Sequence, residues 1–273
     1  MRAFVILLLF GVLGCGPGPR PRTPIDDADR ALRLASSLHR TVHALSAEAR
    51  VEQRGSQGRI RGTVLAMVAL PDHVRFDVLT QFGPAAVLTS DGTRFELLDL
   101  RDDRFVEGPA CPSNVARLLG FALPPADVAR MLVGEAPLLP GATEKTIRPI
   151  AGGYELRLAS TAGSETLVFG LRSGDHLAEP GAQHLRLARV ELRDPAGNLS
   201  LRITYSDHRV VRDPTDLEGR GIALPFVIRV EDRVRDAETT IRVKSVELGI
   251  TPPDEAFRQT APGGATRELA PCD

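Results

Sequence analysis

The alternation of apolar and charged residues along most of the chain constrains its fold more than any other feature. Val74, Phe76 and Val78 alternate with charged neighbours, and the stretches at 154–158, 199–205 and 224–230 repeat the pattern. A period of two with one charged face indicates strands of a sheet that is wet on one side and apolar on the other. Turn sequences such as "SDG", "AGG" and "PAGN" separate the runs. The chain is therefore predicted to form a long antiparallel sheet.

Two details of the strands indicate how this sheet bends. In "LRLARVELRD" the alternation of apolar and polar residues is interrupted after Leu187 and resumes at Val190, which is typical of a bulge. Residues 60–70, "IRGTVLAMVAL", are apolar on both parities in their second half, which predicts a central strand covered on both faces. We predict a mainly β, α+β protein: an open, unclosed antiparallel β-barrel of about 11 strands whose apolar interior is only partly filled.

Helical periodicity appears in two places. A first helix is predicted to begin at Thr23-Pro24 and to carry the stripe Ala31, Leu34, Ala35, Leu38, Val42 and Leu45. Residues 112–134 then carry two short stripes that end at Gly120 and Gly134. These stripes predict one of two things: a helical lid that covers the hollow, or ordinary hydrophobic core. The apolar residues in the two stripes are Val115, Leu118, Leu119, Val128, Met131 and Leu132.

The first 14 residues have the layout of a secretory signal: Arg2, an apolar run from Ala3 to Phe10, and "VLG" before Cys15. The motif "VLGC" resembles the bacterial lipobox, which implies that Cys15 is acylated and anchors the mature chain to a membrane. An ordinary signal peptide with an incidental cysteine is the alternative. Residues 15–24 contain "GPGPRPRTP" and are expected to form a flexible tether.

Composition excludes several functional classes. Without Arg2 the chain has 33 basic residues, one fewer than the 34 of the whole sequence, against 35 acidic ones, so no basic field is available to hold nucleic acid.

The remaining cysteines, Cys111 and Cys272, are expected to form a disulfide in an oxidising compartment, although two unrelated thiols remain the alternative.

No catalytic or metal-binding pattern is found. His39 and His43 are four residues apart, but no third ligand accompanies them, and the other histidines lack zinc spacing. The Asp102-Asp103 pair lies between arginines in a polar stretch and reads as a solvated corner. The sequence contains neither a G-x-S-x-G elbow nor a phosphate loop, so we expect no enzyme activity and no cofactor.

The stretch "LLGFALPPADVARMLVGEAP", at 118–137, resembles the central helical segment of the LolB-like and LolA-like lipoprotein carriers. The order of elements and the ending "VELGITPPDEAFRQTAPGG", at 246–264, are similar as well. The resemblance implies an unclosed barrel with a helical lid over a cavity for acyl chains. It also implies an apolar residue on a protruding loop, and "LTQFGPAAVL" places Phe82 there, with an inward-facing core residue as the alternative.

The predicted organisation is a signal peptide at 1–14, a tether at 15–24, the open-barrel domain at 25–264 and a tail at 265–273. The expected function is acyl-chain binding and lipoprotein or lipid transfer, with the protein anchored at the periplasmic face of the outer membrane. Acyl chains and a periplasmic carrier protein are the expected partners, and nucleic acid is not. The competing hypothesis is an anchored adaptor that uses the same fold for contact with another envelope protein.

Overall fold

A single unclosed sheet of 14 strands forms the framework of the protein. The computed structural model describes residues 18–37, 39–56, 58–137, 139–214 and 221–272, so the predicted signal peptide and Cys15 lie outside the described residues. Six strands precede the helical insert: β1 (Ala44–Gly55), β2 (Gly58–Ala69), β3 (His73–Thr80), β4 (Gly83–Asp91), β5 (Arg94–Asp99) and β6 (Arg104–Pro109). Eight follow it: β7 (Glu144–Ile150), β8 (Gly153–Ser160), β9 (Gly163–Leu171), β10 (Leu185–Arg193), β11 (Leu199–Val211), β12 (Ile222–Asp232), β13 (Ala237–Leu248) and β14 (Thr266–Leu269).

The strand order is β14-β6-β5-β4-β3-β2-β1-β13-β12-β11-β10-β9-β8-β7. Hairpins connect most neighbours, and the long antiparallel pairing of β1 with β13 joins the two halves of the sheet. The prediction of a mainly β, unclosed architecture is confirmed, but the count of about 11 strands is wrong. One missed strand is β14, which pairs in parallel with β6 inside the segment expected to be a C-terminal tail.

The N-terminal helix is shorter than its apolar stripe predicts. Helix α1 spans Ala28–Ser36, and its N-cap is Asp27, whose Oδ1 accepts hydrogen bonds from the Asp29 and Arg30 amides. The prediction of a start at Thr23 and a continuation to Leu45 is therefore wrong. Leu45 belongs to β1, where pairing with β2 and β13 replaces helical hydrogen bonds; Leu38 of the stripe lies outside the described residues.

Residues 18–24 of the predicted tether pack against the fold. Pro19 O accepts a hydrogen bond from the Gly152 amide, and the Arg22 amide donates to His176 O. Gln183 links the same segment to the sheet: its Nε2 donates a hydrogen bond to Thr23 O, and its Oε1 accepts one from the Tyr154 hydroxyl. The connection at 173–183, for which the sequence suggests no role, thus contributes two short 3₁₀ helices and an anchor for the N-terminal segment.

The helical insert is found where the sequence predicts it. Helix α2 spans Pro112–Leu119 and ends at Gly120 with φ 76°, and α3 spans Pro125–Leu132, followed by Gly134 with φ 83°. These left-handed conformations favour glycine and explain why both helices stop there. None of the described helices is long and apolar enough to cross a bilayer.

Two further predictions about the strands have different outcomes. The bulge in β10 is confirmed, because the register against β9 shifts between Leu187 and Arg189. The prediction that residues 60–70 are covered on both faces is wrong, since Leu65 is 44% exposed on the outer face of β2. A central position in the strand order therefore does not bury both faces of this sheet.

A disulfide joins Cys111 to Cys272 and closes the C-terminal segment onto the start of α2. Asn114 reinforces the same junction, because its Nδ2 donates to Ala270 O at 2.9 Å and to Pro109 O at 3.0 Å. Together these contacts attach β14 to the edge of the sheet, and the other edge is β7.

Candidate functional site: a cavity under the helical insert

The concave face of the sheet encloses a cavity of about 540 Å³ beneath the helical insert. Its floor comes from β1 to β6 and β13, and its roof consists of side chains from the insert. The floor is built from small residues where other strands carry large ones, namely Ala47, Ala49, Gly62, Ala66, Ala85 and Ala86. The cavity exists because these short side chains do not reach the roof.

The other half of the concave face carries larger side chains. Strands β8, β9, β11 and β12 point large residues inward that are at most 3% exposed, including Tyr154, Leu156, Phe169, Ile203, Tyr205 and Ile228. The cavities on this half lie next to α1 and not under α2.

Polar side chains from the strands hold the insert and the segment that follows it. Thr239 Oγ1 donates to Leu119 O at 2.8 Å, and Asp232 Oδ2 accepts from the Ala122 amide at 3.1 Å. Further along, the Tyr205 hydroxyl donates to Glu135 O at 3.1 Å and Glu165 Oε2 accepts from the Leu139 amide at 3.2 Å. All four side chains are at most 3% exposed, so each bond replaces contacts with water that burial removes. We refer to these four bonds as the lid tethers.

The six lid residues predicted from the sequence divide into two groups. Leu118, Leu119 and Leu132 line the cavity. Val115, Val128 and Met131 are fully buried and do not line it. The insert therefore presents one apolar side to the cavity and uses the other as core, so both readings of the stripes apply to different residues. Phe121, which the sequence analysis did not single out, also lines the roof.

The cavity opens at one end of the sheet. Its charged lining residues come from the start of β2, from the β5–β6 hairpin and from α2, and they are Arg61, Asp99, Arg101, Asp102, Arg104 and Arg117. The guanidinium-bearing side chains among them are 40–67% exposed. Asp102 belongs to this mouth, while Asp103 has φ 45° in the same turn.

Phe82 lies in the β3–β4 turn at this end and is 91% exposed. Thr80 shapes the turn, because its Oγ1 donates to Gly83 O at 3.1 Å and accepts from the Phe82 amide at 3.2 Å. Gly83 has φ 109°, a conformation that glycine adopts readily. The closed turn leaves the ring no path inward, so the alternative reading of Phe82 as a core residue does not hold.

Other exposed apolar residues accompany Phe82. Ile60 is 49% exposed, Leu100 is 39% exposed and Val234 is 76% exposed. They lie at the start of β2, in the β5–β6 turn and in the β12–β13 turn, and the hairpin registers place all of these at the mouth end. We call these four residues the apolar rim. The sequence could have indicated an exposed apolar side chain at Val234, because this residue lies within the charged turn sequence "DRVRD".

A second cavity, of about 440 Å³, lies between α1, the segment after α3 and the inward side chains of β8 to β10. We call it the α1 chamber, and it shares no lining residue with the cavity under the insert. Its floor is Leu158, Leu167, Phe169 and Leu187, with Glu165 among them at 0% exposure. The sequence held a signal for Glu165: in β9 it occupies the inward parity with Leu167 and Phe169.

Burial raises the pKa of Glu165 to about 8; the Leu139 amide opposes this rise, and the nearby Asp127 carboxylate adds to it. The group is therefore mostly protonated at neutral pH.

A larger hollow of about 630 Å³ borders the 181–187 segment, and only Gly134 of the insert reaches it.

No metal centre accompanies these cavities. Within the described ranges, no three His, Cys, Asp or Glu side chains are grouped so that they could hold a metal ion. His39 and His43 take different roles: the Nδ1 atom of His39 bonds to Ala35 O at 3.1 Å, and His43 O accepts from the Leu70 amide.

Comparison with known proteins gives a likeness of fold. No protein-family model and no curated protein matches the chain. A LolA superfamily protein from Nitrosomonas europaea superimposes with a TM-score of 0.56 at 10% identity, over 86% of this chain and 99% of that one. A DUF1329 family protein from Desulfovibrio piger gives 0.52 at 13% identity, over 86% and 98%. The LolA-like resemblance read from the sequence is thus confirmed at the level of architecture, and the chain shares its fold with these two proteins.

Proposed function

We propose that the protein binds acyl chains in the cavity under the insert and takes part in the reception and transfer of lipoproteins or lipids. The observation that carries this proposal is the cavity itself: about 540 Å³ with an apolar floor and roof and a mouth at one end of the sheet. Ligand cavities in proteins commonly have 300–1,000 Å³ and a mainly apolar lining. Each methylene transferred from water to such a cavity contributes about 0.8 kcal/mol.

The position of the apolar rim supports transfer rather than storage. Its four residues surround the end at which the cavity opens, so a surface that contacts the rim faces the mouth. An acyl chain could then move between that surface and the cavity without crossing the aqueous phase. Net transfer needs no cofactor, because its direction follows from the relative affinities of donor, cavity and acceptor.

The localisation in this proposal rests on the N-terminal sequence. Cys15, acylated and preceded by a cleaved signal, would hold the protein at the periplasmic face of the outer membrane. Several acyl chains on one residue give stable anchoring. The acyl chains of lipoproteins or lipids are the proposed ligands, and a periplasmic carrier is the proposed donor.

A matched pair of substitutions on β2 tests the proposal. Ala66 lines the cavity at 8% exposure, while its neighbour Leu65 points to the outer face at 44% exposure. Ala66→Phe places a phenyl ring in the cavity, and Leu65→Phe places the same ring on the outer face. With a fluorescent fatty-acid analogue, we expect Ala66→Phe to abolish binding and Leu65→Phe to bind like the wild-type protein. Equal binding by both variants would refute the proposed site.

The adaptor hypothesis makes a different prediction for the rim. If Phe82 contacts a protein partner only, Phe82→Glu removes crosslinks to that partner and leaves lipid transfer between vesicles unchanged. Under the transfer proposal the same substitution slows transfer while fatty-acid binding in the cavity persists, because Phe82 does not line it.

A further inference from the structure

The α1 chamber has a polar feature that the lid tethers do not explain. Glu165 uses one carboxyl oxygen, Oε2, to accept the Leu139 amide, but its Oε1 is buried and has no hydrogen-bond partner within the part of the chain that the structure describes. Buried polar atoms are almost always paired, so an orphan that borders a cavity points to a group supplied from outside. Glu165 borders the α1 chamber.

The protonation state of Glu165 indicates which chemical group would pair with its Oε1. Burial keeps the carboxyl mostly neutral at pH 7, with a pKa of about 8. Because Oε2 accepts the Leu139 amide, the proton lies on Oε1, which is then a hydrogen-bond donor. Its natural partner is an uncharged acceptor such as a carbonyl oxygen.

A second orphan lies in the wall of the same chamber. His39 Nδ1 faces the carbonyl of Ala35 at 3.1 Å, and since a carbonyl only accepts, Nδ1 is the donor in that bond. In the neutral ring Nε2 is then an acceptor, and it too is buried without a partner among the described residues. Among the described residues, the chamber therefore has a buried unpaired donor on Glu165 and a buried unpaired acceptor on His39 above an apolar floor. Its lining also includes charged residues, namely Asp29, Arg33, Arg40, Arg130 and Glu135.

We propose that the α1 chamber binds the polar end of a neutral monoacylglycerol-type amphiphile, with the ester carbonyl accepting a hydrogen bond from Glu165 Oε1. A free glycerol hydroxyl is the matching donor for His39 Nε2. The acyl chain lies along the floor formed by Leu158, Leu167, Phe169 and Leu187. The site is separate from the cavity under the insert and goes beyond the acyl-chain function proposed for it.

Two ligands that differ only at the ester test this inference. In 1-monolauroylglycerol the chain is joined through an ester, whereas 1-O-dodecylglycerol has an ether and lacks the carbonyl. We expect the purified full-length protein to bind the ester about tenfold more tightly in calorimetric titration, as one hydrogen bond to a buried donor implies. Equal affinities for the two would overturn the proposal.

Three variants locate the preference. Glu165→Leu removes the donor, so the ester-to-ether ratio should fall to about one. Glu165→Gln keeps an N–H donor and an oxygen for the Leu139 amide, so most of the ratio should remain. Tyr205→Phe removes a neighbouring lid tether, on Glu135, without touching the carboxyl, and should leave the ratio unchanged. The role of Glu165 would be contradicted if the Glu165→Leu variant kept the ester-to-ether ratio. It would also be contradicted if Tyr205→Phe abolished the ratio as fully as Glu165→Leu does.

Ala66→Phe separates this inference from the proposed function. If that variant loses the fatty-acid analogue but keeps the ester preference, the two cavities act independently as proposed. If it loses both, the ester binds under the insert and the inference fails while the proposed function stands. If the wild-type protein shows the ester preference but never binds the fatty-acid analogue, the proposed function fails and the inference stands.

Discussion

Replacing Glu165 with glutamine tests whether the carboxyl is neutral inside the fold. The ordinary pKa of 4.5 is raised to about 8, chiefly because burial disfavours the charged form. Between these values the folded protein holds a proton that the unfolded chain has released. Since stability falls with pH where the native state binds more protons, the free energy of unfolding should decrease through this window.

The magnitude follows from the size of the shift. Each pKa unit corresponds to about 1.4 kcal/mol, so the full window spans about 5 kcal/mol, and the step from pH 5 to pH 8 accounts for about 3.5 kcal/mol. Above about pH 9 the folded carboxyl is ionised too, and the dependence should level off. Glutamine at this position does not titrate, so the difference between wild type and Glu165→Gln isolates one group.

Urea unfolding of both proteins at intervals from pH 4 to pH 9 measures the difference. Titrating groups that do not interact with Glu165 are common to both and cancel; they include His208, whose pKa burial lowers. The pKa of Tyr205, which burial and the Glu165 charge raise, lies above this pH range. We expect Glu165→Gln to become more stable relative to wild type as the pH rises. Parallel curves at every pH would mean that the carboxyl has an ordinary pKa, and the reasoning about its donor would fall with it.

Three further predictions concern other parts of the molecule. Phe82→Ser should change the free energy of unfolding by less than about 0.5 kcal/mol, because the ring is exposed, yet it should reduce binding to lipid vesicles in a flotation assay. Cys272→Ser removes a disulfide across a separation of 161 residues and should lower stability by up to about 5 kcal/mol in urea unfolding, with hydrogen exchange rising first in β14. Thr239→Val breaks the tether on Leu119 O and should lower stability by about 1–3 kcal/mol in thermal unfolding without changing the strand order.

The strands and the insert were predictable because their periodicities are local. Alternation in β3, β8, β11 and β12 and the two stripes of 112–134 follow directly from the geometry of each element. Long-range pairing decided the parts that were missed. The stripe of α1 continues past Ser36 at helical spacing, but residues from Ala44 onward pair with both β2 and β13, which outweighs a local preference.

β14 shows the limit of a local reading more clearly. Its four residues have no alternation strong enough to indicate a strand, and they lie between Gly264 and Pro271. The disulfide and Asn114 bring the segment to the edge of β6, where parallel pairing becomes available. Such a strand depends on contacts across more than 150 residues; the cysteine count predicted the disulfide among them, but nothing in the sequence indicated the parallel pairing with β6.

The candidate site was predictable in kind and in its place under the insert, but its extent along the sheet was not. An apolar hollow followed from a long sheet with too few helices to cover it. Its extent depends on Ala49, Ala66 and Ala86, small inward-facing residues that the alternation pattern treats like any other apolar residue. Glu165 was visible as a charge on the same parity, but only packing shows that one of its oxygens lacks a partner.

The lid tethers explain how a cavity of this size persists in a protein that could otherwise collapse around it. Lowering the insert onto the alanines of β1, β2 and β4 would bring apolar surfaces together, but it would break the bonds that Thr239 makes to Leu119 O and Asp232 makes to the Ala122 amide. Each buried polar group left without a partner costs about 1–3 kcal/mol. The strands therefore fix the height of the roof, and the small side chains fix the depth of the floor. A hydrocarbon chain that enters gains contacts which the side chains of the protein do not make with one another, so it need not displace any part of the core.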